Sequence, residues 1–413
     1  MEGSLPYAEE YVRLKRAYMH NKGRIILGED TEIVNILFES KSSSFLPGRE
    51  EYRCDNHNRY FVAQMETNRE FATPPLHEIL HVLDSEIAEN RVFSYPVFKK
   101  RSKAKANGVI VLVHGLNEKS WDKYLAWAKR LLDRTGRAVV LFPIAFHMNR
   151  APLEWSDRRL MNMVSKERKK IFPTVTASAF ANAAISTRLQ LCPPRFFWSG
   201  LQSYYDVIGI VKQIRDGIHP CIEKDADIDF FGYSIGAFLT QLILMADLDR
   251  MLPDSRLFIF CGGPTVNRMS PVSRYILDSE ANISLYSYFV ENFEKELRRD
   301  DRLCEFFRAE TPEALYFRAM IDYHKMAGIR ESRFSDLSER MMAVGLEKDD
   351  VIPGYEIENT LKGRKREITI RVEMLDFVYR YTHENPFPVG KRYAKAVAEG
   401  FMRVMDLAAD FLR

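Results

Sequence analysis

The sequence predicts an α/β protein with a mostly parallel, doubly wound sheet. Three observations carry that expectation. Runs such as VIVLVHG (Val109 to Gly115) and RAVVLFPIAF (Arg137 to Phe146) are continuously apolar and rich in β-branched residues, as strands buried on both faces of a sheet must be. Amphipathic stretches of helical spacing alternate with them, which is the order of β-α-β units. Turn residues separate the two kinds of segment; Gly136, for example, closes WDKYLAWAKRLLDRTG.

Taken in order, residues 1–90 form an N-terminal segment of mixed pattern, expected to pack on the core. YAEEYVRLKRAYM has helical spacing. TEIVNILFES and YFVAQME read as strands or short buried elements, and PPLHEILHVLDSEI as a helix. Residues 91–413 carry the alternating pattern. NRVFSYPVFK is a strand and polar KRSKAKANG a turn, followed by VIVLVHG, the helix ending at Gly136, and RAVVLFPIAF. An interruption spans about 147–200. Beyond it YYDVIGIVKQIRD is a helix, DIDFFGYS a strand, IGAFLTQLILMADL a helix and SRLFIFCGG a strand. A second interruption spans about 264–338. SERMMAVGLEKDD then gives a strand and loop, REITIRVEMLDFVYRYTHE holds the last strand, and GKRYAKAVAEGFMRVMDLAADFLR is a closing amphipathic helix.

Composition narrows the function classes. Sixty basic and 57 acidic side chains leave a net charge of only +3, which gives no reason to expect nucleic acid as a partner. The longest apolar runs fall short of the roughly 18 residues a membrane helix needs. The opening MEGSLPYAEEYVRLKR lacks the apolar stretch of a signal peptide. Cys54, Cys192, Cys221, Cys261 and Cys304 are odd in number and scattered, which points to a reducing, cytoplasmic setting rather than a disulfide framework. No motif calls for a metal or a cofactor.

The chemistry concentrates at the expected carboxyl ends of strands, where ligands bind in such sheets. In DIDFFGYSIGAFL, Ser234 stands between Gly232 and Gly236, after a strand and before a helix. A strand turning sharply into a helix projects the serine from the top of the sheet and leaves no room for side chains two residues away. In LVHGLNEKSW, the loop after VIVLV offers a backbone amide, that of Leu116, which with the amide of Ile235 would form an oxyanion hole. Gly115 lets the backbone approach closely. His114 reads as structural, since the loop needs its amides rather than an imidazole.

Together these segments, with GLEKDDVIP and a late YTHENPFP, resemble the α/β-hydrolase superfamily over residues 91–413. GLEKDDVIP and YTHENPFP are also similar to bacterial hydrolase-like proteins of unassigned function. The resemblance implies a serine, acid, histidine order along the chain. It puts the acid on the loop after the penultimate strand, in a pattern like Gly-x-x-Asp-x-x-x-Pro. Here the loop from Gly345 to Pro353 is one residue longer; counting back from Pro353 favours Asp349, with Asp350 the runner-up. Of nine histidines, only His383 follows the last strand and precedes the last helix, with Pro386 and Pro388 to stiffen its loop.

The function implied is serine hydrolysis of an ester or other acyl bond in a small molecule, through Ser234, His383 and an aspartate. An acyltransferase on the same scaffold and a non-catalytic binding protein are the alternatives. The two interruptions leave the carboxyl ends of strands and are expected to form a helical lid. Asn117, His147, Asn149 and Arg150 are the substrate-contact candidates near the pocket mouth. Arg150 is the candidate partner of an anionic group, against a background of basic residues expected to be solvated helix faces.

Overall fold

A computed structural model describes residues 6–46, 51–54, 59–62, 80, 82–102 and 104–413. Its strands are β1 (Arg24–Leu27), β2 (Thr31–Glu39), β3 (Glu51–Cys54), β4 (Arg59–Val62), β5 (Val92–Lys100), β6 (Ala106–Val113), β7 (Ala138–Phe142), β8 (Ile222–Tyr233), β9 (Leu257–Phe260), β10 (Met341–Leu346) and β11 (Arg371–Leu375). Nine of them form one sheet in the order β1-β2-β5-β7-β6-β8-β9-β10-β11, while β3 and β4 pair separately. The six strands from β7 to β11 in that order run parallel. β1, β2 and β5 complete the sheet by antiparallel pairing. Of the N-terminal elements read from sequence, the helix over Tyr7–Ala17 and the TEIVNILFES strand are present. Most of YFVAQME and PPLHEILHVLDSEI lies outside the described residues.

The alternation within VIVLV explains why β6 sits at the centre. Val109, Val111 and Val113 enter one apolar core, and Ile110 and Leu112 enter the other. On the second face lie α1 (Tyr7–Ala17), α2 (Asp122–Thr135) and the long C-terminal helix over Ala394–Phe411. Gly136 ends α2 with a left-handed φ of 72° and returns its amide to Leu132 at 2.8 Å. The first face is covered by helices that follow the sheet's carboxyl ends. These are α4 (Ala183–Leu191), α5 (Arg195–Arg215) and α6 (Ile235–Ala246), with the helices of the second insertion, while α3 (Arg158–Ile171) packs on α4 in a separate small apolar cluster. This is an α/β-hydrolase fold.

Two sequence expectations shift. The helix read as starting at Tyr204 begins at Arg195, inside the first interruption, because Phe197, Trp198 and Leu201 continue its buried stripe. Arg168 is no solvated residue: it makes a buried two-pronged ion pair with Asp278 at 2.6 and 2.7 Å, fastening α3 to the start of the helix Ser279–Tyr286 in the second insertion. Arg158, Arg159, Lys166, Lys169 and Lys170 are exposed.

Strand order locates the site. The chain winds from β6 to β7 on one side, then crosses to place β8 on the other side of β6. The crevice at such a reversal opens between the loops that leave β6 and β8. Those loops carry Leu116 and Ser234.

Candidate active site

Ser234 occupies φ 57°, ψ −122°, a conformation a non-glycine residue adopts only under constraint. The constraint is close packing. A Cβ at Gly232 would fall 2.5 Å from Ala237 Cα, and one at Gly236 would fall 2.6 Å from the His114 carbonyl oxygen. Gly115 is packed less tightly: a Cβ there would stand 3.1 Å from the Tyr233 ring and 3.4 Å from Ser234 Cβ. Ile235 is the first residue of α6, so its amide has no partner within the helix.

Ser234 Oγ lies 2.7 Å from His383 Nε2, and His383 Nδ1 lies 2.7 Å from Asp349 Oδ2. The other carboxylate oxygen of Asp349 accepts the amides of Val351 and Ile352 at 2.9 and 2.8 Å. All three side chains are buried, whereas Asp350 faces solvent. Such a chain can take the hydroxyl proton onto the imidazole while the carboxylate fixes the ring.

Three supports of this arrangement carried no sequence signal. The Tyr233 hydroxyl donates to the His383 carbonyl, and its ring stacks on the imidazole at 5.6 Å. The buried Cys261 thiol lies beside Asp349; burial and then the carboxylate push its pKa well up, so it stays protonated. Tyr381 accepts the Lys348 amide at 3.1 Å and donates to Asp376 at 2.8 Å, bracing the loop that bears Asp349. Tyrosines and a cysteine next to a strand end look like ordinary core residues. Only the adjacency of Tyr233 to Ser234 could have drawn notice.

His114 is buried and bonded on both nitrogens. Its Nδ1–H donates to the Gly115 carbonyl at 2.7 Å and its Nε2 accepts the Ile144 amide at 2.9 Å. Burial, helped by neighbouring His147, holds its pKa well below the usual range, so it joins the loops after β6 and β7 as a neutral ring.

The substrate-contact candidates divide. Arg150 is a correction: it is wholly buried, paired with Asp206 at 2.8 Å, bonded to Pro143 and Asn90, and stacked on Phe93. The apolar crowding around β7 draws the guanidinium inward, and it cannot reach a pocket. Asn149 donates to Ser94 of β5 at 2.9 Å, also away from the pockets described below. Asn117 commits both amide hydrogens, to Ala181 at 2.8 Å in the first insertion and to Tyr275 at 2.6 Å in the second. His147 donates from Nδ1 to Ala145 at 2.9 Å, and burial pushes its pKa down to about 4.

Two recesses open here. The first, with an empty volume of about 670 Å³ counting the part open to solvent, is almost wholly apolar. Leu116 and Ile235 stand at it, and Phe196, Phe238, Leu242 and Phe317 form much of its wall. The second, about 550 Å³ on the same basis, includes Asn117, Lys119, Trp155, Arg188 and Arg195. The two share Leu116, His147, Phe196 and Ser199. Among the described residues, no group of three or more His, Cys, Asp or Glu side chains could hold a metal ion. No helix among them is long and apolar enough to cross a membrane.

The chain belongs to the family of unknown function DUF6051, which matches residues 5–413. No curated protein matches the sequence. Similar solved structures include a thermostable esterase from Pseudomonas putida, 9% identical, covering 100% of this chain and 93% of its own, with a TM-score of 0.47. A carboxyl esterase from the mycorrhizal fungus Tuber melanosporum is 12% identical over 78% of this chain and 81% of its own, with a TM-score of 0.42. A hyperthermophilic esterase from the archaeon Pyrobaculum calidifontis is 14% identical over 98% and 90%, with a TM-score of 0.42.

Proposed function

We propose that this protein is a serine hydrolase that cleaves an ester or related acyl bond of a small molecule. The observation that carries the reading is the unbroken hydrogen-bonded chain from Ser234 through His383 to Asp349, built on a strained strand-to-helix elbow.

The mechanism follows from the geometry. His383 Nε2 takes the proton of Ser234 Oγ as the oxygen attacks the acyl carbon. Asp349 accepts Nδ1–H, fixes the tautomer and stabilises the imidazolium; the amides of Val351 and Ile352 hold the carboxylate in place. The amides of Leu116 and Ile235 receive the negative charge of the tetrahedral intermediate. The imidazolium then protonates the leaving oxygen, and water, activated by the same histidine, releases the acid from Ser234. The two insertions wall the recesses and act as a lid that limits water.

The test is turnover of short-chain p-nitrophenyl esters. Ser234→Ala should abolish it while leaving the fold intact. Turnover retained in that variant would place the chemistry elsewhere.

A further inference from the structure

Beside the apolar recess, the second recess carries more positive than negative charge among the described residues. Lys119 lies three residues past Leu116 and lines it. Its side chain is exposed at the recess mouth, the surrounding protein lowers its pKa to about 8, and no carboxylate among the described residues pairs with it. The other charged lining groups are Arg188 and Arg195, which share one carboxylate, Asp84. Among the described residues three cations thus face one anion, within walls otherwise built from such residues as Phe146, Trp155, Ile185 and Leu189. With no carboxylate paired to it among the described residues, the Lys119 ammonium at the mouth of this recess is free to meet an incoming anion.

We propose that this recess binds an anionic oxyacid group, carboxylate or phosphate, on one limb of the substrate, with Lys119 as its direct partner. The proposal rests on Ser234 being the acyl acceptor and names the class of ester. One limb is apolar and fills the first recess; the other is anionic and fills the second. Leu116 and His147, common to both recesses, lie where the limbs meet. Arg188 and Arg195 supply long-range attraction, while their Asp84 contacts keep them in place.

The experiment compares p-nitrophenyl hemisuccinate with its neutral methyl-capped counterpart. In Lys119→Met, the ratio of kcat/KM for the anionic ester to that for the neutral ester should fall roughly ten- to hundredfold, the effect of one lost charge-assisted hydrogen bond. Lys119→Arg, which keeps the charge, should retain more of the ratio. Lys166→Met, on the exposed face of α3, should leave it unchanged. A ratio unchanged in Lys119→Met overturns the assignment, and the neutral ester reports whether that variant is folded. If the wild type cleaves neither ester, the hydrolase reading fails by itself. The anion site is then read by calorimetric titration with succinate or inorganic phosphate. Heat that is lost in Lys119→Met supports the site and identifies the group; no heat with either anion overturns it.

Discussion

Tyr233, the residue before the elbow serine, holds the histidine that faces that serine: its hydroxyl donates to the His383 carbonyl, and the two rings lie nearly parallel, at 14°. Serine and imidazole are therefore fixed by consecutive residues of one strand end, although His383 is distant in sequence. Tyr233→Phe keeps the stacked ring and removes the hydroxyl. It leaves a buried carbonyl unpaired, at a cost of about 1–3 kcal/mol of stability. Because the role is positioning, kcat should fall while KM for a neutral ester stays nearly constant. A stability loss with unchanged kcat would reduce Tyr233 to a packing residue.

The two adjacent aspartates offer a sharp contrast. Asp349 is buried against His383, and Asp350 is exposed. Asp349→Asn should lower kcat by roughly a thousandfold or more through loss of the correct tautomer. Asp350→Asn should stay within about threefold, as surface changes usually do. Steady-state kinetics on the two variants decides it, and the reverse ranking would contradict the assigned acid.

Arg150 should behave as a structural residue. Arg150→Met strands Asp206, which Ser40 still contacts at 2.6 Å, among apolar neighbours. Breaking a buried pair from one side costs about 3–5 kcal/mol, so urea unfolding should show a loss of that size. Adding Asp206→Leu should recover part of it. The anionic-to-neutral ester ratio should not change, in contrast to Lys119→Met.

A pH dependence follows from Lys119. Its pKa, lowered to about 8 by burial, means that the ammonium is charged below that pH and neutral above it. Preference for the anionic ester should therefore decay as pH rises through about 8. The surrounding groups do not mimic this. His147, at about 4, is already neutral; Arg188, lowered by burial to about 10, stays largely charged through the transition at about 8 and begins to titrate only at the top of the range, and Arg195, whose pKa is raised, stays charged. Glu118 is held by Lys123 and Tyr124. Rate measurements from pH 6.5 to 9.5, taken as the ratio of the two esters, cancel any titration common to both. A flat ratio would contradict the charge reading.

The fold was legible where the pattern is dictated by burial. VIVLV must bury both faces, and DIDFFGYSIGAFL must turn from strand to helix, so β6, β8 and α6 follow from the residues alone. The positions of Ser234, Asp349 and His383 were legible through chain order and loop motifs. Arg150 was misread because proximity to a strand end in sequence says nothing about side-chain direction, and here Asp206, from the middle of α5, draws it inward. Tyr233, Cys261 and Lys119 escaped for a related reason. Their partners lie far away in sequence or, for Lys119, are absent among the described residues, and only folding brings the surrounding groups together.

The central claim is that Ser234 is the nucleophile. The most direct measurement is labelling with a fluorophosphonate, followed by mass spectrometry of the digested protein. The expected result is one phosphonyl adduct on the peptide containing Gly232 to Gly236, absent from Ser234→Ala and strongly slowed in His383→Ala. An adduct on another residue, or equal labelling of Ser234→Ala, would contradict the account.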